Sequence, residues 1–205
     1  MKKLLTFVLA ACALAALPAA AQPKFSYTEL KPALSVESEG KIEVLEFFWY
    51  GCIHCYNLEP VVEKWEKTLA KDVQFRRVPA VFNDRWALDA AIFYTFEAMG
   101  LVDKLHRPLF DAIHKDRLRT DVQKDFLAWL EKQGVDTKKF SETMKSFGVQ
   151  SKMRRAAQMT AAYKIGGTPS MAVHGRYTVS TDQGRTTDGM FETVNYLTDT
   201  LRKQK

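Results

Sequence analysis

Hydrophobic residues follow two different spacings along the first half of this chain. From Ile42 to Trp49 both alternating faces are largely apolar, which is typical of a central strand covered on both sides. Between Cys55 and Leu69 the apolar residues recur at helical spacing, and residues 73–78 alternate again like a strand. The pattern therefore predicts a strand, a helix and a second strand in that order.

Residues 83–163 have helical spacing throughout. Asp136 is placed to cap one of these helices, and Thr120 with Gln123 has the spacing of a capping box. Three glycines suit helix C-termini: Gly100, Gly134 and Gly148. This segment is predicted to be entirely helical.

The C-terminal part of the chain returns to alternating spacing. Residues 170–173 and 177–179 are predicted strands around a tight turn, and residues 188–203 form an amphipathic helix. A βαβ unit and a ββα unit are thus separated by an all-helical segment, and the fold class is α/β. We predict one domain built from residues 22–82 and 164–205, with residues 83–163 as a helical insertion.

The N-terminus has the features of a secretory signal. Lys2 and Lys3 precede an apolar stretch, and small residues before Gln22 offer a cleavage site, so residues 1–21 are a predicted signal peptide. The alternative is a lipoprotein site at Cys12, but the apolar run continues well past it. We expect export to the bacterial periplasm, an oxidising compartment.

Charge gives little indication of a nucleic-acid partner. The chain has 30 Lys and Arg and 24 Asp and Glu, for a formal net charge of +6, and the positive residues form no long block. A nucleic-acid interface would concentrate them on one segment. The composition instead fits a globular domain with a sizeable apolar core.

Cys52 and Cys55 form a CxxC pair directly after the predicted central strand. A bridge between them would close a very small loop and would stabilise the chain little, so the pair suits a disulfide that opens and closes. Half of a zinc site is the alternative, but the sequence has no second CxxC pair. No metal and no cofactor besides the disulfide are expected.

The two cysteines are predicted to differ. Cys52 precedes the first turn of a helix, where backbone N–H groups and the helix dipole favour a thiolate. His54 can add a positive charge or a hydrogen bond to the same sulfur. Cys55 lies on the apolar stripe and is predicted to be the buried, resolving sulfur.

Other ionisable residues receive simpler interpretations. Glu46 lies within the apolar strand, and burial would raise its pKa. It is interpreted either as a proton relay for Cys55 or as a strand-edge residue that reaches solvent. His106, His114 and His174 have no motif around them and are predicted to lie at the surface or in turns.

These motifs together resemble the DsbA family of periplasmic thiol–disulfide oxidoreductases. The residues that carry the resemblance are Glu46-Phe47-Phe48 before Cys52-x-His54-Cys55, the helical segment, and Gly167-Thr168-Pro169 before the hairpin. The resemblance implies a thioredoxin fold with an inserted all-helical domain. Ile53 departs from the family, whose best-known members have proline at that position.

The resemblance also implies an activity, partners and further site residues. The protein would be an oxidase that donates the Cys52–Cys55 disulfide to reduced, newly exported proteins, acting as a monomer. A DsbB-type, quinone-linked enzyme of the inner membrane would reoxidise it. The bond between Thr168 and Pro169 would be cis, leaving the Thr168 backbone to pair with an extended substrate. The relay role of Glu46 gains support from the same resemblance.

Two kinds of alternative remain open at this stage. An isomerase or a reductase would use the same cysteines, although isomerases of this type need an added dimerisation module. A peptide-binding chaperone would use neither cysteine. Replacing Cys52 by serine separates the second alternative from the oxidase, because only the oxidase would lose its activity.

Overall fold

A seven-residue strand, buried along its whole length, forms the centre of the sheet in this computed structural model, which describes residues 25–184 and 186–204. The five strands are β1 (Thr28–Glu29), β2 (Ile42–Phe48), β3 (Val73–Pro79), β4 (Ser170–Val173) and β5 (Tyr177–Ser180). Their order in the sheet is β1-β5-β4-β2-β3. The prediction of a central strand covered on both sides is therefore confirmed.

The strand directions agree with the predicted βαβ and ββα units. β2 and β3 are parallel, whereas β4 runs antiparallel to both β2 and β5. Val44 lies between Phe75 of β3 and Val173 of β4. The carboxyl end of β2 leads directly into the short active-site loop, residues 49–52, which ends at Cys52.

The described ranges contain eight helices. They are α1 (Ile53–Glu66), α2 (Asp84–Ala98), α3 (Val102–His114), α4 (Gln123–Lys132), α5 (Thr137–Met144), α6 (Phe147–Ala162), α7 (Thr181–Gly184) and α8 (Thr187–Arg202). Helices α2 to α6 follow one another between β3 and β4, where the sequence predicts an insertion. The domain boundaries themselves stay predictions.

Two apolar clusters cover the two faces of the sheet. On one face, α1 and α8 pack residues such as Leu58 and Val194 against Val44. On the other face, Phe47 belongs to a larger cluster that continues into helices α2 to α6, for example at Phe110. Since this larger cluster contains residues of both the sheet and helices α2 to α6, the helical segment packs on one face of the sheet as part of the same core.

The predicted helix ends are correct in part. Gly100 and Gly134 follow α2 and α4 with φ of +68° and +74°, a conformation that favours glycine. Asp136 caps α5 by accepting a hydrogen bond from the Lys139 N–H at 2.9 Å. Gly148 contradicts its prediction, because it lies in the first turn of α6 and not at a C-terminus.

The predicted capping box is also wrong. Helix α4 begins at Gln123 after Val122, which makes no side-chain cap. The hydroxyl of Thr120 instead donates a hydrogen bond to Asp89 at 2.6 Å and is buried. The Thr120 hydroxyl, which the spacing predicts as a helix cap, therefore binds the buried Asp89 carboxylate.

Within the part of the chain that the structure describes, every helix is too short or too polar to cross a membrane. The predicted signal peptide, residues 1–21, and the alternative lipidation site at Cys12 lie outside the described residues.

Candidate active site

Cys52 is the N-cap residue of α1, as the sequence predicts. Its backbone is extended, with φ −88° and ψ 114°, and its Sγ accepts a hydrogen bond from the Cys55 N–H at 3.4 Å. The backbone N–H of Cys52 donates to the carbonyl of Trp49 at 3.0 Å and closes the preceding turn. The sulfur therefore occupies the position where a helix offers unpaired N–H donors to an anion.

The segment around Pro169 lies directly beside this sulfur. The Thr168–Pro169 peptide bond is cis, as predicted. The Cys52 thiol donates to the carbonyl oxygen of Thr168 at 3.3 Å, although the two residues are 116 positions apart in the chain. Folding of the sheet thus brings together the two motifs that the sequence singled out.

The pKa of Cys52 is lowered from 9.0 to about 5. The largest cause is a hydrogen bond from the Cys55 side chain, which stabilises the thiolate against the opposing effect of burial. The Thr168 side chain and the backbone N–H groups of Cys55 and His54 lower the pKa further. The contact with the Thr168 carbonyl favours the thiol, and it is outweighed by these donors.

Cys55 has the opposite character. It is fully buried, and both cysteines are free thiols in this structure. Burial raises the pKa of Cys55 well above 9.0, and its hydrogen bond to Cys52 and the charges of Cys52 and Glu46 raise it further. One sulfur is therefore accessible and stable as an anion, while the other is buried and stable as a thiol.

His54 contributes to the site through its backbone. Its side chain is exposed, and no group in the described residues hydrogen-bonds to the imidazole. Its backbone N–H, in contrast, helps to lower the pKa of Cys52. A direct effect of the imidazole on the sulfur stays a prediction.

Glu46 is fully buried in the central strand, so the interpretation as a strand-edge residue in solvent is wrong. Burial raises the pKa of its carboxyl to about 8, and the charge of Glu59 adds to this effect, while Arg77 opposes it. Arg77 Nε lies 3.5 Å from Glu46 Oε2, within ion-pair distance. Neither carboxyl oxygen has a hydrogen-bond partner among the described residues.

Glu59 and Arg77 complete a buried group that the sequence analysis missed. Arg77 lies 3.4 Å from Glu59 Oε2 and 3.4 Å from Glu66 Oε2, and so links the interior to the partly exposed Glu66. The sequence pattern could have indicated that Glu59 is buried, because Glu59 lies four residues after Cys55 on the apolar stripe of α1. A charged residue on that stripe indicates a paired, buried group.

His106 contradicts its predicted surface position. It is buried, with Nδ1 2.9 Å from the Tyr50 hydroxyl and Nε2 3.1 Å from Glu59 Oε1. Its spacing to Leu109 and Phe110 already placed it on the buried face of α3.

The other two histidines have separate positions. His114 is half-buried and donates from Nε2 to the Tyr50 carbonyl at 2.8 Å, so it holds the active-site loop instead of lying free at the surface. His174 lies in the turn between β4 and β5, as predicted, with φ +51°. Two of the three histidines thus contact Tyr50, two residues before Cys52.

Trp49 holds the loop from the other side. Its indole N–H donates to Asp89 at 2.7 Å, and its ring stacks on Trp86 with centroids 4.1 Å apart. The same ring covers Gly51, where an added Cβ would lie 2.3 Å from a ring carbon. Any side chain at position 51 would therefore clash with the Trp49 indole, which is held in place by Asp89 and Trp86.

Replacing Gly51 by alanine should therefore destabilise the protein by about 1–3 kcal/mol, the usual cost of overpacking a well-packed site. The matched control is Gly148→Ala in the first turn of α6, where nothing lies within 4 Å of an added Cβ. That change should be neutral or slightly stabilising, since alanine favours helix more than glycine does. Urea denaturation of both variants measures the difference, and equal stabilities would contradict the proposed close approach.

Cys52 caps the helix that follows the central strand of a mixed sheet, Cys55 is buried one turn later, and a cis proline segment lies beside them. This arrangement is typical of thiol–disulfide oxidoreductases with the thioredoxin fold. Residues 71–189 match the model of a family described as a DSBA-like thioredoxin domain. The chain belongs to the DsbA family.

Individual relatives agree with this assignment. The chain is 39% identical to the thiol:disulfide interchange protein DsbA of Azotobacter vinelandii over 176 residues, which are 86% of this chain and 82% of that protein. It is 36% identical to the Burkholderia cepacia protein of the same name over the full length of both. The crystal structure of Pseudomonas aeruginosa DsbA matches with a TM-score of 0.83 at 35% identity, covering 88% of this chain and 94% of that one. The predicted thioredoxin fold is therefore confirmed.

Proposed function

We propose that this protein is a periplasmic oxidase that donates the Cys52–Cys55 disulfide to reduced, newly exported proteins. The observation that carries the proposal is that the accessible Cys52 sulfur caps α1 while Cys55 is fully buried. These positions lower the pKa of Cys52 to about 5 and raise the pKa of Cys55. A stabilised thiolate favours the reduced form of the pair, so the disulfide is readily given up. The direction of electron flow is then from client to protein.

The chemistry follows from the different exposure of the two sulfurs. A client thiolate attacks the accessible Cys52 sulfur, the Cys52–Cys55 bond breaks, and its electron pair stays on Cys55. Because a thiolate is costly at the buried Cys55, a proton has to reach it, and Glu46 is the buried carboxyl that holds one near neutral pH. A second client thiolate then displaces Cys52, which leaves as the stabilised anion.

The surroundings of Cys52 support docking of an extended client. The cis Thr168–Pro169 segment lies against the sulfur, and we propose that its backbone pairs with the client as an added strand. Thr168 and Pro169 are therefore the proposed substrate-binding residues, and Cys52, Cys55, His54 and Glu46 the proposed catalytic ones. No cofactor beyond the disulfide is needed for this cycle.

The cellular setting is part of the proposal. The predicted signal peptide places the mature chain in the periplasm, where disulfides persist. A DsbB-type, quinone-linked enzyme of the inner membrane would return the dithiol to the disulfide, and the protein would act as a monomer. The two-part division, with residues 83–163 inserted into a thioredoxin-like domain, belongs to this proposal as well.

Titration of the Cys52 thiolate tests the proposal directly. Ultraviolet absorbance of the reduced protein should rise with a midpoint near the pKa of about 5. Thr168→Val removes a side-chain donor to this sulfur at nearly constant volume, and should move the midpoint upward by roughly one pH unit, the worth of one hydrogen bond to a charged group. A midpoint near 9, the ordinary value for a cysteine, would contradict the oxidase.

A further inference from the structure

His106 is a buried polar side chain between the active-site loop and α1. It is 6% exposed and is surrounded by aromatic rings, with the centroids of Phe48, Phe93 and Phe110 at 5.2, 5.8 and 5.2 Å. Both ring nitrogens nevertheless have partners, the Tyr50 hydroxyl at 2.9 Å and Glu59 Oε1 at 3.1 Å. An aromatic pocket would accept phenylalanine, so the polar bridge requires an explanation beyond packing.

The two partners assign the tautomer of this histidine. Glu59 is paired with Arg77 at 3.4 Å, which favours its ionised form independently of His106. An ionised carboxylate only accepts hydrogen bonds, so Nε2 carries the hydrogen and donates a hydrogen bond to Glu59. Nδ1 then accepts a hydrogen bond from the Tyr50 hydroxyl. Burial lowers the pKa of His106, which keeps the ring neutral in this role. Tyr50, two residues before Cys52, is thereby linked to Glu59 through the ring of His106.

Glu46 and Glu59 are two buried carboxyls that face one guanidinium. Arg77 is within ion-pair distance of both, at 3.5 Å and 3.4 Å. Two carboxylates that share one cation in an apolar site are coupled, and one of them retains a proton near neutral pH. Among the described residues, the charged groups that act on the pair or on His106 come from three elements: Glu46 from β2, Arg77 from β3, and Glu59, Glu63 and Glu66 from α1.

Hydrogen bonding decides which carboxyl keeps that proton. Glu59 accepts from His106 and from Arg77, and these donors lower its pKa despite burial. The oxygens of Glu46 accept no hydrogen bond within the described residues. Glu59 is therefore the ionised member of the pair, and Glu46 is the protonated one.

We propose that His106 is a positioning residue of the redox reaction, whose hydrogen bond to Glu59 directs the shared proton to Glu46. The inference rests on the proposed function. When a client thiolate opens the disulfide, the Glu46 proton passes to the sulfur of Cys55, and Glu46 becomes a carboxylate that solvent later reprotonates. Without the His106 donor, the proton moves toward Glu59, and Glu46 is ionised before the reaction begins.

Single-turnover oxidation of a reduced cysteine peptide measures this effect. Its rate, corrected for the thiolate fraction of the peptide, should fall as pH rises through the Glu46 pKa of about 8. His106→Leu removes a hydrogen bond worth about one pH unit on the Glu59 pKa. The coupled Glu46 midpoint should therefore move down, by up to about one pH unit. His106→Gln, whose amide can still donate to Glu59, should keep the wild-type midpoint.

The Glu46→Gln background distinguishes a positioning role from a structural one. There the alkaline midpoint should be absent, and adding His106→Leu should change the pH profile no further. Tyr50→Phe, which removes the hydrogen-bond partner of His106 Nδ1 but keeps the aromatic ring, should shift the midpoint in the same direction by a smaller amount. It replaces His106→Leu if that variant does not fold.

Two results would overturn the inference while leaving the proposed function intact. One is an active His106→Leu protein with the wild-type midpoint, and the other is a shift that persists in the Glu46→Gln background. A wild-type protein that fails to oxidise the peptide would overturn the proposed function, and this inference with it.

Discussion

Replacing Cys52 by serine should reduce the oxidation of a reduced client protein to the uncatalysed rate. The hydroxyl of serine cannot form the disulfide that carries the oxidising equivalents. Serine is a favoured N-cap residue, so it can accept the hydrogen bond from the Cys55 N–H that the sulfur accepts now, and α1 should remain intact. The loss would therefore report chemistry and not unfolding.

The matched variant is Cys55→Ser. It keeps the accessible, low-pKa sulfur at Cys52 but removes the resolving one. Mixed with a client that contains a disulfide, the reduced Cys55→Ser protein should accumulate as a covalent mixed disulfide on a non-reducing gel. Cys52→Ser should form no adduct, because Cys55 is fully buried. Full activity of Cys52→Ser would support the chaperone alternative.

The reduced protein should gain stability over the oxidised protein as pH rises from about 4 to about 7, by about 1–2 kcal/mol. The pKa of Cys52 is about 5 in the folded protein and 9.0 ordinarily, so folding stabilises its thiolate. A group with a lowered pKa contributes fully above its unfolded value and loses its contribution as pH falls through the folded value. The expected free-energy difference is reduced for solvent screening, since the Cys52 sulfur is about half-buried.

Urea denaturation of both redox forms at the two pH values provides the measurement. Carboxylates such as Glu59 titrate in both forms, so their contribution largely cancels in the difference. The short loop closed by the bridge stabilises the oxidised form little and does so equally at both pH values. Cys52→Ser under reducing conditions should lack the Cys52-dependent increase. A difference that does not change with pH would contradict a thiolate at Cys52.

Much of the chemistry could be predicted from local sequence. The CxxC spacing with the change from strand to helical periodicity placed Cys52 at an N-cap and Cys55 on the buried stripe, because both properties depend on a few neighbouring residues. The apolar run around Glu46 left a buried and a solvent-exposed position open, and the structure decided for the buried one. Asp136 was predicted correctly for the same reason, since a cap involves residues three positions apart.

Other features depend on residues that are distant in the chain. Thr120 has the spacing of a cap, yet its hydroxyl bonds to Asp89, 31 positions away. His106 bridges Tyr50 and Glu59 across 56 and 47 positions, and no local pattern pairs these residues. A local pattern indicates that a polar side chain is buried, but its partner depends on how the elements pack.

By itself, the sequence determined the order of strands and helices and the different surroundings of Cys52 and Cys55, because periodicity and capping are local properties. Only the tertiary structure decided which distant groups surround that pair. It placed Thr168 beside Cys52 and joined Glu46, Arg77 and Glu59 in one buried cluster. The physical reason is that pKa values depend on burial and on charges a few ångströms away, and distances of that kind are set by folding.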